Sequence, residues 1–287
     1  MAVDYSKLKA NGFMLQKQKD RFSARLRVVG GNLTCAQLTT IAKVAKRFGA
    51  GRVHLTSRQS VEIPFVKLEE IEDFIAALKE GGVEMGASGP RVRTITACQG
   101  GACCPSGNID AYELAKDLDA RYYGRTLPHK FKIGVTGCPN NCLKAEENDV
   151  GIKGGAVVTP DADKCVRCGA CAKVCRPGAI TITDEGARVD RKLCRRCGKC
   201  AKKCPKGAID AKFGYIVSFG GTFGNEIVSA KTITPLVEDK ETLFRVVDAA
   251  LDFFERNAQK GERLAKTIKR TGRVQFNRIV RAAYKNK

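Results

Sequence analysis

Cys98-Gln99-Gly100-Gly101-Ala102-Cys103-Cys104, answered further along by Thr136-Gly137-Cys138-Pro139-Asn140-Asn141-Cys142, is the stretch that decides the fold. Its spacing is C-x5-C followed by C-x3-C. The chain has 14 cysteines in 287 residues, and all but Cys35 fall between Cys98 and Cys204. In a small secreted chain such a count would mean disulfides. In a larger chain with CxxC spacings, clustered thiols mean metal. The isolated Cys35 is expected to be a small, buried apolar residue.

Outward from that group, residues 161–212 contain an internal repeat. Cys165, Cys168, Cys171 and Cys175 recur 29 residues later as Cys194, Cys197, Cys200 and Cys204, and Gly178-Ala179-Ile180 recurs as Gly207-Ala208-Ile209. C-x2-C-x2-C-x3-C is the spacing of bacterial two-cluster ferredoxins, whose fourth cysteine ligates the other cube. That rule puts Cys165, Cys168, Cys171 and Cys204 on one [4Fe-4S] cube and Cys175, Cys194, Cys197 and Cys200 on the other. A structural zinc in a four-cysteine knuckle is the competing reading, and the doubled triads count against it. Two cubes this close form an electron wire with no catalytic power of their own.

C-x5-C with TGCPNNC resembles the sirohaem-containing sulfite and nitrite reductase family, over about residues 20–160 and 213–235. The resemblance implies a third [4Fe-4S] cube held by Cys98, Cys104, Cys138 and Cys142, with Cys142 also bridging to a sirohaem iron. Cys103 is then surplus, since the x5 spacing favours Cys104. Arg25-Leu26-Arg27-Val28-Val29-Gly30-Gly31, Val92-Arg93-Thr94 and Pro128-His129-Lys130-Phe131-Lys132 resemble the family's substrate segments. They nominate Arg25, Arg93, Lys130 and Lys132 as a cage for a small oxyanion. In His54-Leu55-Thr56-Ser57-Arg58-Gln59, the resemblance makes Thr56, Arg58 and Gln59 contacts of the sirohaem carboxylates. Such a cage suits the chemistry, because deoxygenating an anion needs both protons and positive charge at fixed points. Alternation in Lys130-Phe131-Lys132 would place both lysines on one face of a strand. The competing view is ordinary surface charge, since the chain has 51 basic residues.

The implied activity is six-electron reduction of sulfite to sulfide with electrons from a ferredoxin-like donor. Nitrite reduction on the same scaffold, or a non-catalytic electron-transfer subunit, are the alternatives. The family pocket draws on two half-units and this chain has one, so a homodimer or a complex with a related subunit is expected. The formal charge of +21 suggests nucleic acid at first. Three cubes and one sirohaem would remove about fourteen units, leaving about +7, which suits an acidic electron carrier. The basic tail from Lys260 has no interleaved aromatic platform, so no nucleic-acid partner is expected. The N-terminus from Met1 to Lys7 has no apolar core, and no long apolar run occurs, so a cytoplasmic protein without a membrane span is expected.

The fold class expected is α+β. A ferredoxin-like half-domain (1–89) with order β-α-β-β-α is followed by a sirohaem and [4Fe-4S] α+β domain (90–160 and 213–287), with a two-cluster ferredoxin module (161–212) inserted. Strands are expected at Ala24–Val29, Arg52–Thr56, Val61–Val66 and Tyr215–Phe219, with a hairpin over Ile180–Val189. Helices are expected at Leu38–Phe48, Leu68–Lys79, Ile109–Tyr123, Leu243–Asn257 and Ile268–Tyr284, the first opened by a Thr34/Gln37 capping box.

Overall fold

The computed structural model describes residues 3–286; Met1, Ala2 and Lys287 lie outside it. The N-terminal unit runs α1 (Tyr5–Ala10), β1 (Phe13–Leu15), β2 (Arg21–Arg25), α2 (Cys35–Phe48), β3 (His54–Leu55), β4 (Val61–Lys67) and α3 (Ile71–Glu80). Thr34 opens α2 as expected: its hydroxyl accepts from Gln37 N at 3.1 Å, while the Gln37 side chain accepts from Thr34 N at 3.0 Å. Two otherwise orphaned helix-end donors are thereby satisfied. The strands form an antiparallel sheet in the order β1-β2-β4-β3. Ile41, Val44, Phe74 and Leu78 of the two long helices bury against it with Phe13 and Phe22. Phe74 meets Phe13 and Phe48 edge-on, the favourable aromatic geometry.

Three expectations shift here. The strand placed at Ala24–Val29 lies earlier, at Arg21–Arg25; beyond it the ladder gives way to a single bridge between Leu26 and Met85, and the chain turns only at Gly30 and Gly31, with φ of 58° and 72°. A short strand, β1, precedes it. Cys35 is exposed on the first turn of α2, not buried.

The second unit continues with β5 (Thr96–Ala97), α4 (Ala111–Tyr122), β6 (Ile133–Thr136), β7 (Val150–Pro160), α5 (Ala170–Lys173), β8 (Ile180–Thr183), β9 (Gly186–Val189), α6 (Lys199–Lys203), β10 (Ile209–Phe219), β11 (Lys231–Thr232), α7 (Lys240–Asn257), α8 (Leu264–Thr271) and α9 (Arg273–Lys285). Its sheet has the order β11-β10-β7-β6-β5, parallel from β5 to β7 and antiparallel beyond. α4 and α7 cover it through Leu114, Leu118, Val246 and Phe254.

β7 was not anticipated, since Gly151, Gly154 and Gly155 disguise it. Close packing explains them: a Cβ on Gly154 would sit 2.3 Å from Gly137 O, and one on Gly151 2.4 Å from Ala145 O. β7 pairs with β10 from Val150↔Phe219 to Pro160↔Ile209. Residues 161–208 therefore hang from the end of a two-stranded ribbon. The repeat is structural as well as sequential. Arg167 and Arg196 share φ near 55°, Gly169 and Gly198 both take left-handed φ ahead of α5 and α6, and the β8–β9 hairpin separates the copies. At the C-terminus one expected helix is two, divided at Gly272 with φ 96°.

Candidate active site

The two cysteine loops of the second unit press backbone to backbone. A Cβ on Gly137 would stand 2.7 Å from Gly100 Cα. Gly137 N donates to Cys98 Sγ at 3.0 Å, and Gly137 O accepts from Asn108 N at 2.7 Å. Cys98, Cys104, Cys138 and Cys142 are brought together as a result. Burial pushes the Cys138 thiol up, and the charges of Cys104, Cys142 and Cys98 push it further. Cys103 is exposed, its sulfur 4.0 Å from Gln99 Oε1. Gly137→Ala should therefore destabilise the folded chain by about 1–3 kcal/mol, the usual cost of overpacking. The measurement is urea unfolding; an unchanged midpoint would show that the loops can separate freely.

In the hanging segment the thiols gather in crossed sets. Cys165, Cys168, Cys171 and Cys204 line one small cavity of about 20 Å³ with Ile182, Ala187 and Ile209. Cys175, Cys194, Cys197 and Cys200 line a second with Val158, Ile180 and Val189. Among the described residues no three Cys, His, Asp or Glu side chains converge on a point where a single ion would sit; the thiols are spread around cavity walls instead. Burial raises the Cys171 thiol and pushes Cys200 up to about 11, so each would release a proton on binding metal. Ala208 N and Arg196 N donate to Cys204 and Cys194 sulfurs at 3.2 and 3.4 Å. The second set is the one tied to the rest of the chain: Asn108 Nδ2 donates to Cys197 O at 3.2 Å, and Lys202 Nζ to Gly107 O at 2.9 Å.

Arg25, Thr56, Arg58, Arg93, Lys130 and Lys132 line one cavity of about 250 Å³. A second, of about 440 Å³, shares Ser57, Arg58 and Lys132 with it and extends to Cys142 and Phe223. The cleft thus joins the cationic residues to the cysteine loops. Lys130 and Lys132 reach it by the expected alternation, although Phe131 makes only a single parallel bridge, to Val92, and no full strand. Phe131 itself is buried in the core. Gln59 is elsewhere: its amide donates to Ala97 O at 2.8 Å and accepts from Ala97 N at 2.9 Å, which uses both ends.

The charges crowd one another. Arg25 is held by Glu62, Nη2 to Oε1 at 2.5 Å. Arg58 donates to Asn148 Oδ1 at 3.0 Å and Thr94 O at 3.2 Å. Arg93 donates to Ser88 Oγ at 3.1 Å and Gly89 O at 3.1 Å, while its buried Nε has no partner among the described residues. Burial, then repulsion by Arg93, lowers Arg58 to about 10; burial, then repulsion by Arg25, does the same to Arg93. Burial lowers Lys130 as well, helped by Arg263 and Arg93. Lys132 falls to about 8 through burial, then Arg58, Arg263 and Lys130. Cations that depress each other and leave a buried donor unpaired are a site shaped for an anion. That donor set fits an anionic, carboxylate-fringed cofactor and a small oxyanion.

Sequence reasoning missed Asp149 and Arg263. They form a buried pair, Nη2 to Oδ2 at 2.7 Å and Nε to Oδ1 at 3.1 Å, and Asp149 Oδ2 also accepts from Lys132 N at 2.8 Å. The partners are far apart in the chain, and no local pattern marks either.

Fold and cleft together define an α+β protein in which a cationic cavity meets a cysteine quartet. Residues 88–287 match the family described as the nitrite and sulphite reductase 4Fe-4S domain, and residues 14–81 match the nitrite/sulfite reductase ferredoxin-like half domain. The chain belongs to the nitrite and sulfite reductase family. It is 37% identical over 250 residues to the coenzyme F420-dependent sulfite reductase of Methanocaldococcus jannaschii, covering 86% of this chain and 40% of that one. It is 33% identical over 202 residues to one of the subunits of the anaerobic sulfite reductase of Salmonella typhimurium, covering 63% and 58%. The chain therefore spans roughly half the length of these relatives. Its fold is similar to that of dissimilatory sulfite reductase I, with a TM-score of 0.74 at 19% identity, covering 91% of this chain and 69% of that one.

Proposed function

We propose that the chain is a sirohaem-dependent sulfite reductase, reducing sulfite to sulfide with electrons from a ferredoxin-like donor. The observation that carries this is the cleft joining Arg58, Arg93, Lys130 and Lys132 to Cys142. Two relatives named for sulfite reduction support it over nitrite. Cys98, Cys104, Cys138 and Cys142 would hold a [4Fe-4S] cube, and the cleft beside Cys142 would hold a sirohaem; together these groups would pass on the donor's electrons and supply the iron at which the anion is reduced. The protein's own part is electrostatic. Arg93, with its free Nε, and Arg25 hold oxyanion oxygens; Lys130 and Lys132 hold the anion and deliver protons to the departing oxygens. Thr56 and Arg58 face the carboxylates of the tetrapyrrole, the guanidinium offering paired donors.

Two further cubes, on the crossed cysteine sets of 161–212, feed that centre, with the set containing Cys197 nearer to it because Asn108 joins the two. The working divisions are 1–89, 90–160 with 213–287, and 161–212. The pocket is completed by a second copy of this chain or by a related one. A cytoplasmic location agrees with the finding that, among the described residues, no helix is long and apolar enough to cross a membrane.

The test is an absorption spectrum of anaerobically purified protein, then acid–acetone extraction of its tetrapyrrole and assays with sulfite and with nitrite. Sirohaem at about one per chain with faster sulfite turnover is the expected result. Preference for nitrite would overturn the substrate, and cubes without any tetrapyrrole would leave an electron-transfer protein.

A further inference from the structure

Behind the cleft wall lies a group that the scheme above does not use. Asp149 immediately precedes β7 and is wholly buried; Arg263 immediately precedes α8 and is 9% exposed. The carboxylate takes two bonds from the guanidinium and one from Lys132 N, and Arg263 Nη1 reaches Thr222 Oγ1 at 3.4 Å. Gly220 N and Gly221 N bond the carbonyls of Asp149 and Asn148 at 2.8 and 3.0 Å, clamping this corner from the end of β10. The carboxylate thus joins the start of α8 to the backbone of a cavity lysine, while the chain leaving β10 holds the Asp149 backbone and, through Thr222, the guanidinium. A buried ion pair is a weak source of stability, because desolvation offsets most of its attraction. Its geometry points instead to a role in placing charge.

We propose that Asp149 and Arg263 are positioning residues for the anion site, the buried pair fixing where Lys132 stands in the cavity wall and what charge it faces there. The proposal rests on the sulfite-reductase reading only for the identity of the anion. The ammonium faces Arg58, Lys130 and Arg263, which oppose its charge, and Asp149, which favours it. Arg263 acts on Lys130 in the same sense. The two members of the pair thus pull in opposite directions on one proton. Damage to the fold would not produce opposite effects from neighbouring substitutions.

The test uses the purified chain with its cofactors as isolated. Acetic anhydride labelling of Lys132 is followed against pH by peptide mass spectrometry, since only the neutral amine reacts. The unmodified protein gives the reference midpoint, which the protein groups alone would place near 8 and which a bound anionic cofactor moves upward. Asp149→Asn should lower it and Arg263→Gln should raise it, each by about one unit, as expected for gain or loss of a nearby opposing charge. Arg263→Lys, which keeps the charge, should leave it near its starting place. Midpoints that shift in the same direction, or not at all, overturn the proposal. If neither variant folds, Arg263→Lys decides: a midpoint displaced by about one unit or more although the charge is kept overturns it too. Absence of sulfite turnover in the unmodified protein would instead count against the functional reading, and the labelling result would stand independently.

Discussion

Replacing Lys132 with glutamine should lower sulfite turnover by about 10²–10⁴-fold, the range for losing a positioned proton donor, with iron and acid-labile sulfide content unchanged. Glutamine retains length and a hydrogen-bond donor but has no acidic proton to give. Burial and its cationic neighbours bring Lys132 down to about 8, whereas Arg58 and Arg93 are lowered only to about 10. A proton donor is most effective when its acidity matches the working pH. The sign of the pH effect follows. The ammonium is present below about pH 8 and lost above it, so kcat/KM should fall as pH rises through that value. A bound anion favours the charged form, so the fall in kcat should come at higher pH than the fall in kcat/KM. Lys132→Arg separates the two duties: arginine holds an anion but does not give up its proton, so KM should stay near normal while kcat collapses. Full kcat in that variant would assign proton delivery to another group.

Much of this site was legible before the fold was known, for a physical reason. Ligand spacing is a local property, so Cys165–Cys204 could be picked out directly, and the Lys130-Phe131-Lys132 pair was marked by the resemblance of its short segment, with alternation placing both lysines on one face. Alternation worked for the lysines because Phe131 must bury, even though no strand forms around it. What could not be read depends on distant partners. Gly151, Gly154 and Gly155 look like strand breakers, yet they allow β7 to pass against Ala145, Gly137 and Ile216 respectively. Gln59 resembles a ligand contact by position but spends its amide on Ala97. Asp149 and Arg263 become a site only when β7, β10 and α8 meet. Cys35 failed for a different reason: a lone cysteine is often buried, but the first turn of α2 faces solvent there.

Cys104→Ser and Cys103→Ser should give opposite outcomes at adjacent positions. The first should remove one cube, about four iron atoms per chain, along with the tetrapyrrole and all turnover; the second should change none of these. The argument is positional. The Cys104 thiol is close enough to Cys138 to raise it, in company with Cys142 and Cys98, whereas the Cys103 sulfur lies out by Gln99. A cube needs four thiolates at fixed corners, and serine is a poor replacement for a soft ligand. Gly100 and Gly137 pack too tightly for the loop to slide by one residue and offer Cys103 instead. Cys204→Ser extends the same logic to the hanging segment. Because Cys204 lines the cavity of Cys165, Cys168 and Cys171, its loss should remove the cube farther from Asn108. The cube on Cys175, Cys194, Cys197 and Cys200 should survive, with its electron paramagnetic resonance signal freed of coupling to a neighbour. Donor-driven turnover should then fall while turnover with a small-molecule reductant persists. Loss of both insert cubes, or of sirohaem, in Cys204→Ser would mean that the segment folds only when both cavities are filled.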